Sequence, residues 1–175
     1  MNLKKHWRND STGKLTILLF VIYLITLFWI LLFKLGVQFS YMENRNVNLI
    51  PFSDGKIDVG EIILNVVVCV PVGIYAGVLF NRQTLVTKLF FFFLMSIMFE
   101  VLQFILRVGA FDITDIITNT IGGIIGLMIF KAIDQLFKNS VKAQKFINII
   151  AAIGTVLMIS LLLLLKMNML PVRYQ

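Results

Sequence analysis

Apolar runs of about 20 residues recur along this chain and constrain its fold more than any other feature. They cover roughly Leu15–Leu35, Glu61–Phe80, Leu85–Leu106, Phe111–Phe130 and Phe146–Leu165. A helix rises about 1.5 Å per residue, so each run is long enough to cross a hydrocarbon core of about 30 Å. Strands of a membrane barrel would alternate apolar and polar residues, and no such alternation is present. The runs therefore predict an all-α polytopic membrane helix bundle of about five transmembrane helices. Residues 1–175 are expected to form a single multi-pass domain in the cell membrane.

Composition agrees with that reading. Hydrophobic residues make up 59% of the chain and charged residues 14%, against about 25% charged in a soluble domain. The formal charge of +7 is scattered between apolar runs rather than gathered into a stripe with stacking aromatics, so no nucleic-acid partner is expected. Cys69 is the only cysteine, which rules out an internal disulfide. His6 is likewise alone, which argues against a His/Cys zinc site. Neither a metal nor a cofactor is expected.

The first run follows Lys4, Lys5 and Arg8 but is longer than a cleaved signal core and has no small-residue cleavage site after it, so it reads as a retained helix. Basic residues then set the direction. The N-terminus carries Lys4, Lys5, Arg8 and Lys14. The segment after the second run carries Arg82 and Lys88, and the segment after the fourth carries Lys131, Lys138, Lys142 and Lys145. With five spans these regions share one side, predicting a cytoplasmic N-terminus and an external C-terminus. The acidic loop Gly36–Gly60 falls outside. The stretch "KAIDQLFKNSVKAQKF" is expected to extend the fourth helix and lie along anionic headgroups.

With a direction assigned, each polar residue in a span has a depth. Glu100, Gln103 and Arg107 recur at i, i+3 and i+7 on the third helix, which places them on one face. Asp112, Asp115 and Asn119 repeat that spacing on the fourth. The short connection "RVGAF" makes these helices antiparallel neighbours, so both rows fall in the outer half of the bilayer. Glu61 and Asn65 near the start of the second helix, and Lys34 near the end of the first, reach the same level. A mid-membrane carboxylate costs on the order of 3 kcal/mol on insertion scales, and grouping such residues offsets that cost. Interhelical glue is the structural alternative, with Arg107 and Lys34 paired to carboxylates. Glue usually needs one or two polar groups per interface at below about 2 kcal/mol each, fewer than the acids and bases gathered here.

Gly73/Gly77 and Gly122/Gly126 are small residues four apart, a spacing that lets membrane helices approach closely. Pro71 removes one helical hydrogen bond from the second span. "LFFFF" (Leu89–Phe93) is expected to face lipid or pack the inner half, and the final run, which carries almost nothing polar, reads as an anchor or bundle wall.

Four ordered blocks, "NLIPF" (Asn48–Phe52), "ILNVVVCVPVG" (Ile63–Gly73), "FEVLQF" (Phe99–Phe104) and "FDITDIITNTIGGIIG" (Phe111–Gly126), resemble the motifs of the VanZ-like family. The resemblance covers a motif core of about residues 29–127. It implies an integral membrane protein contributing to resistance to teicoplanin, a lipoglycopeptide acting on cell-wall precursors at the outer membrane surface. The family is known for that phenotype more than for a reaction. Carried over by motif, its characteristic positions here include Asn48, Pro51, Asn65, Pro71, Gly73, Glu100, Gln103, Asp112, Asp115, Asn119 and Gly122. Arg107 falls in a segment where identity is not expected.

The expected function is an outward-facing polar pocket that binds the drug, a membrane lipid or a lipid-linked cell-wall precursor. The alternative is an intramembrane enzyme acting on such a precursor, in which paired carboxylates divide acid and base roles or hold Mg²⁺. That reading lacks a convincing nucleophile: Ser96 lies one turn deeper than Glu100 without a histidine partner. Transport fits poorly, since no polar ladder toward the cytoplasm and no inverted repeat are evident. The acids exceed the bases in the cluster, which complicates binding of a phosphate.

Overall fold

A computed structural model describes residues 11–33, 46–52 and 59–166 of the protein. Its helices are α1 (Ser11–Phe33), α2 (Val59–Leu79), α3 (Leu85–Leu106), α4 (Ile113–Phe137) and α5 (Ser140–Lys166). All 5 are long and apolar enough to cross a membrane. Two short extended segments, β1 (Val47–Asn48) and β2 (Phe111–Asp112), pair in parallel, with Val47 opposite Phe111 and Asn48 opposite Asp112.

Local chemistry explains where the helices start and stop. Thr84 caps α3, its side chain accepting from the backbone N–H of Thr87, and Arg107 ends it in the left-handed conformation at φ 59°. Asp112 caps α4 by accepting from the Thr114 N–H at 2.7 Å. Lys138 ends α4, again left-handed. Asn139 then caps α5, accepting from the N–H groups of Val141 and Lys142. The lysine-rich stretch is thus divided between the end of α4 and the start of α5, and forms no separate surface helix. Its first part, Lys131–Phe137, extends α4 as the sequence suggests, and the capping side chain of Asn139 starts a new helix for the rest.

The tightest packing joins α2 to α4. They run parallel because α3 carries the chain back between them. Side-chain pairs across the seam keep a constant separation of 50 residues, as in Asn65 with Asp115 and Cys69 with Asn119. Below them the backbones touch. A Cβ on Gly73 would strike the Gly123 carbonyl oxygen, one on Gly122 the Val66 carbonyl oxygen, and one on Gly126 the Val70 carbonyl oxygen. The small-residue spacing seen in sequence is therefore the contact line itself. Gly77 instead receives the Phe130 ring.

Leu27, Cys69, Val72, Phe92, Met95, Phe99 and Leu127 belong to one buried apolar cluster shared by the first four helices. The phenylalanine run divides by helical period: Phe92 is buried here, whereas Phe90 and Phe93 are exposed as a lipid-facing surface would be. The Tyr23 hydroxyl donates to the Val68 carbonyl oxygen, tying α1 to α2.

Against α1 lies α5, and their contact is more polar than an anchor requires. Gln144 Nε2 donates to Thr16 Oγ1 at 2.8 Å. Thr16 Oγ1 also lies 2.9 Å from Asn148 Oδ1, and Asn148 Nδ2 donates to the Thr12 carbonyl oxygen at 3.2 Å. Thr16, Gln144 and Asn148 are all buried. The expectation of an almost wholly apolar fifth span is corrected here: α5 begins at Ser140, bringing Gln144 onto the buried face together with Asn148.

Candidate functional site

A cavity of ≈ 380 Å³ lies at the end of the bundle where α1 and α3 finish and α2 and α4 begin. Glu61 and Asn65 reach it from α2, Glu100 and Gln103 from α3, Asp115 and Asn119 from α4. Ile30 and Leu31 of α1, with Leu64 and Val68 of α2, make an apolar wall. Periodicity explains the convergence: in each of α2, α3 and α4 the polar residues lie three or four positions apart, on the face turned to the other two.

Burial raises the stakes for every polar atom here, because an unsatisfied buried group costs about 1–3 kcal/mol. Glu100 and Gln103 are each 2% exposed, and Asn65, Asp115 and Asn119 are also buried. Asn65 Nδ2 donates to Asp115 Oδ1 at 2.7 Å. The Cys69 thiol donates to Asn119 Oδ1 at 3.4 Å, a role its isolation in the sequence does not suggest. Gln103 Nε2 donates to the Leu31 carbonyl oxygen at 2.6 Å. That carbonyl belongs to the last described turn of α1. Gln103 thereby ties α3 to α1, while its own Oε1 is buried without a hydrogen-bond partner among the described residues.

The rim is built by the short sheet. Asp112 sits at its centre: its N–H donates to Glu100 Oε2 at 2.9 Å, one carboxylate oxygen caps α4, and the other accepts from Asn48 Nδ2 at 3.2 Å. Asn48 Oδ1 in turn accepts from the Ile50 N–H, and the Phe52 N–H donates to Thr114 Oγ1. Phe52 itself is left-handed at φ 56°. Asn48 and Asp112 thus shape the mouth and orient Glu100 without lining the cavity.

One residue grouped with this cluster from sequence stands apart. Arg107 was expected on the face of Glu100 and Gln103, but α3 stops at Leu106 and Arg107 is an exposed cap outside the cavity lining. A seven-residue spacing predicts a shared face only while the helix continues. Lys34 lies outside the described residues. Ser96 is fully buried and its Oγ lacks a hydrogen-bond partner among the described residues, yet it does not line the cavity. Among the described residues, no group of three or more His, Cys, Asp or Glu is placed to hold a metal ion.

The model of the VanZ/LLP1 family matches residues 20–138, which contain every described residue of the cavity and its rim. Protein VanZ of Enterococcus faecium is 36% identical over 148 residues, covering 82% of this chain and 88% of that protein. No solved structure matches.

Proposed function

The chain belongs to the VanZ/LLP1 family, and from that premise we propose that it contributes to teicoplanin resistance by binding rather than by chemistry. Its polar cavity holds the drug, a membrane lipid or a lipid-linked cell-wall precursor and so alters the drug's access to its target. The N-terminus is cytoplasmic, the C-terminus is external and the cavity opens to the cell exterior, an orientation supported by the basic connections at the opposite end of the bundle.

The observation carrying this reading is the convergence of polar side chains from three helices on one partly apolar cavity. Interhelical glue accounts for the Asn65–Asp115 pair, but glue leaves no room, and here the polar groups surround space. Binding sites combine such an apolar wall with a few placed polar groups. The test is teicoplanin susceptibility of a sensitive host expressing Glu100→Ala or Asp115→Ala, with membrane abundance matched. Loss of protection supports the reading, and full protection removes these residues from it.

An intramembrane enzyme is the second reading, favoured by one observation: Glu100 and Asp115 line the same cavity. With no hydroxyl or thiol nucleophile in the described lining, their chemistry would be general acid and base. A covalently altered precursor after incubation with purified protein would favour this reading; an unaltered, bound precursor would favour the first.

A further inference from the structure

Lys88 occupies a position where a lysine does little for the fold. It is partly buried one turn from Phe92, on the face of α3 that also carries Met95 and Phe99 into the core. The Phe92 ring lies against Gly123 of α4. One turn from Phe92 along α3, and two turns from Gly123 along the antiparallel α4, Lys88 and Lys131 reach the same end of the bundle, close enough to repel each other. Among the described residues neither ammonium has a hydrogen-bond or ion-pair partner, and Asp134, one turn beyond Lys131, pairs with neither. Basic residues that only set orientation work from any position in a connecting segment and need not face each other. Two neighbouring ammonium groups with no acid paired to either call for an anion from outside the chain.

We propose that Lys88 and Lys131 together bind the phosphate of an anionic membrane lipid between α3 and α4, at the end of the bundle opposite the polar cavity. Each ammonium offers three donors, and one phosphate can accept from both while relieving their repulsion. Basic pockets between membrane helices on the cytoplasmic side suit such heads. Leu85 lies three residues before Lys88 and Met128 three before Lys131, so each lysine has an exposed apolar neighbour on its own helix face against which acyl carbons can lie. That apolar surface favours a lipid over a free anion. The site shares no residue with the cavity lining, so it is independent of the binding reading above.

The test is native mass spectrometry of the full-length protein in a non-ionic detergent, offered equal amounts of phosphatidylglycerol and phosphatidylcholine with the same acyl chains. Both lipids carry a phosphodiester, but choline balances the charge of its own. A lysine near the membrane surface contributes about fivefold in affinity for an anionic lipid, so the pair should give phosphatidylglycerol a preference of about tenfold or more. Lys88→Gln and Lys131→Gln should each lower that preference about fivefold. Lys142→Gln removes the same charge from the exposed start of α5 and should change it by less than about twofold. Neither substitution at a repelling pair should lower the melting temperature in lipid-free micelles, which separates loss of the site from loss of the fold. If Lys88→Gln folds poorly, the wild-type comparison and the exposed Lys131 carry the test. Millimolar inorganic phosphate distinguishes the sources: displacement of the lipid assigns recognition to the phosphate alone, and persistence assigns it to head and chain together, both in agreement with the proposal. Equal retention of the two lipids by the wild type would overturn it. So would an equal fall in preference for Lys142→Gln and Lys88→Gln, because a diffuse positive field would then account for the binding.

Discussion

Asn65 donates to Asp115 at 2.7 Å, joining two helices whose starts lie 54 residues apart in sequence by way of one buried hydrogen bond. The bond fixes the register of α2 on α4: Cys69 and Asn119 meet one turn farther on, and the glycine seam follows below. Polar site and apolar seam are thus consecutive stretches of one helix pair, and disturbing either shifts the other.

Because the pair is in direct contact, its energy is measurable as a coupling. A double-mutant cycle of Asn65→Ala and Asp115→Ala, followed by unfolding in mixed micelles, should give about 0.5–2 kcal/mol, the range for interhelical hydrogen bonds in membranes. Additive losses would mean that the bond does not hold the two helices together.

The seam should be less forgiving than the cavity. Gly126→Val places side-chain carbons on the Val70 carbonyl oxygen, a backbone atom that cannot swing aside. Forced separation of α2 and α4 should cost about 3 kcal/mol or more and lower the yield of folded protein, read as monodisperse material after extraction. Gly154→Ala meets nothing within 4 Å and should leave yield unchanged.

At the rim, Asp112→Ala removes the cap of α4 and the partner of Asn48 together. A loss of about 1–2 kcal/mol is expected, with Asp112→Asn recovering most of it because an amide oxygen still caps. Thermal melting of the two variants side by side checks the order.

Across the molecule, Thr16→Val and Asn148→Leu remove the polar contacts between α1 and α5. They should lower thermal stability by about 1 kcal/mol each and leave teicoplanin protection intact at matched abundance. Protection lost without a change in abundance would extend the functional region to that end of the bundle.

The spans were legible because twenty apolar residues admit few other structures, and the row Asp115–Asn119 because polar residues at helical spacing inside such a run are conspicuous. Arg107 misled for the same reason: spacing cannot register that Leu106 is the last helical residue. The pairing of Val47–Asn48 with Phe111–Asp112 left no trace in sequence, since two-residue strands have no periodicity. Gln144 was hidden by its neighbours Lys142 and Lys145, which suggested a surface segment. A polar residue four positions before Asn148 was the signal that could have placed both on one buried face.

The account depends most directly on which side of the membrane the cavity opens. In a Cys69→Ala background, Glu61→Cys should react with a membrane-impermeant maleimide added to intact cells. Lys131→Cys, at the other end of the bundle, should react only after permeabilisation. Labelling of position 61 that required permeabilisation, with position 131 reactive from outside, would place the cavity on the cytoplasmic side and contradict the account.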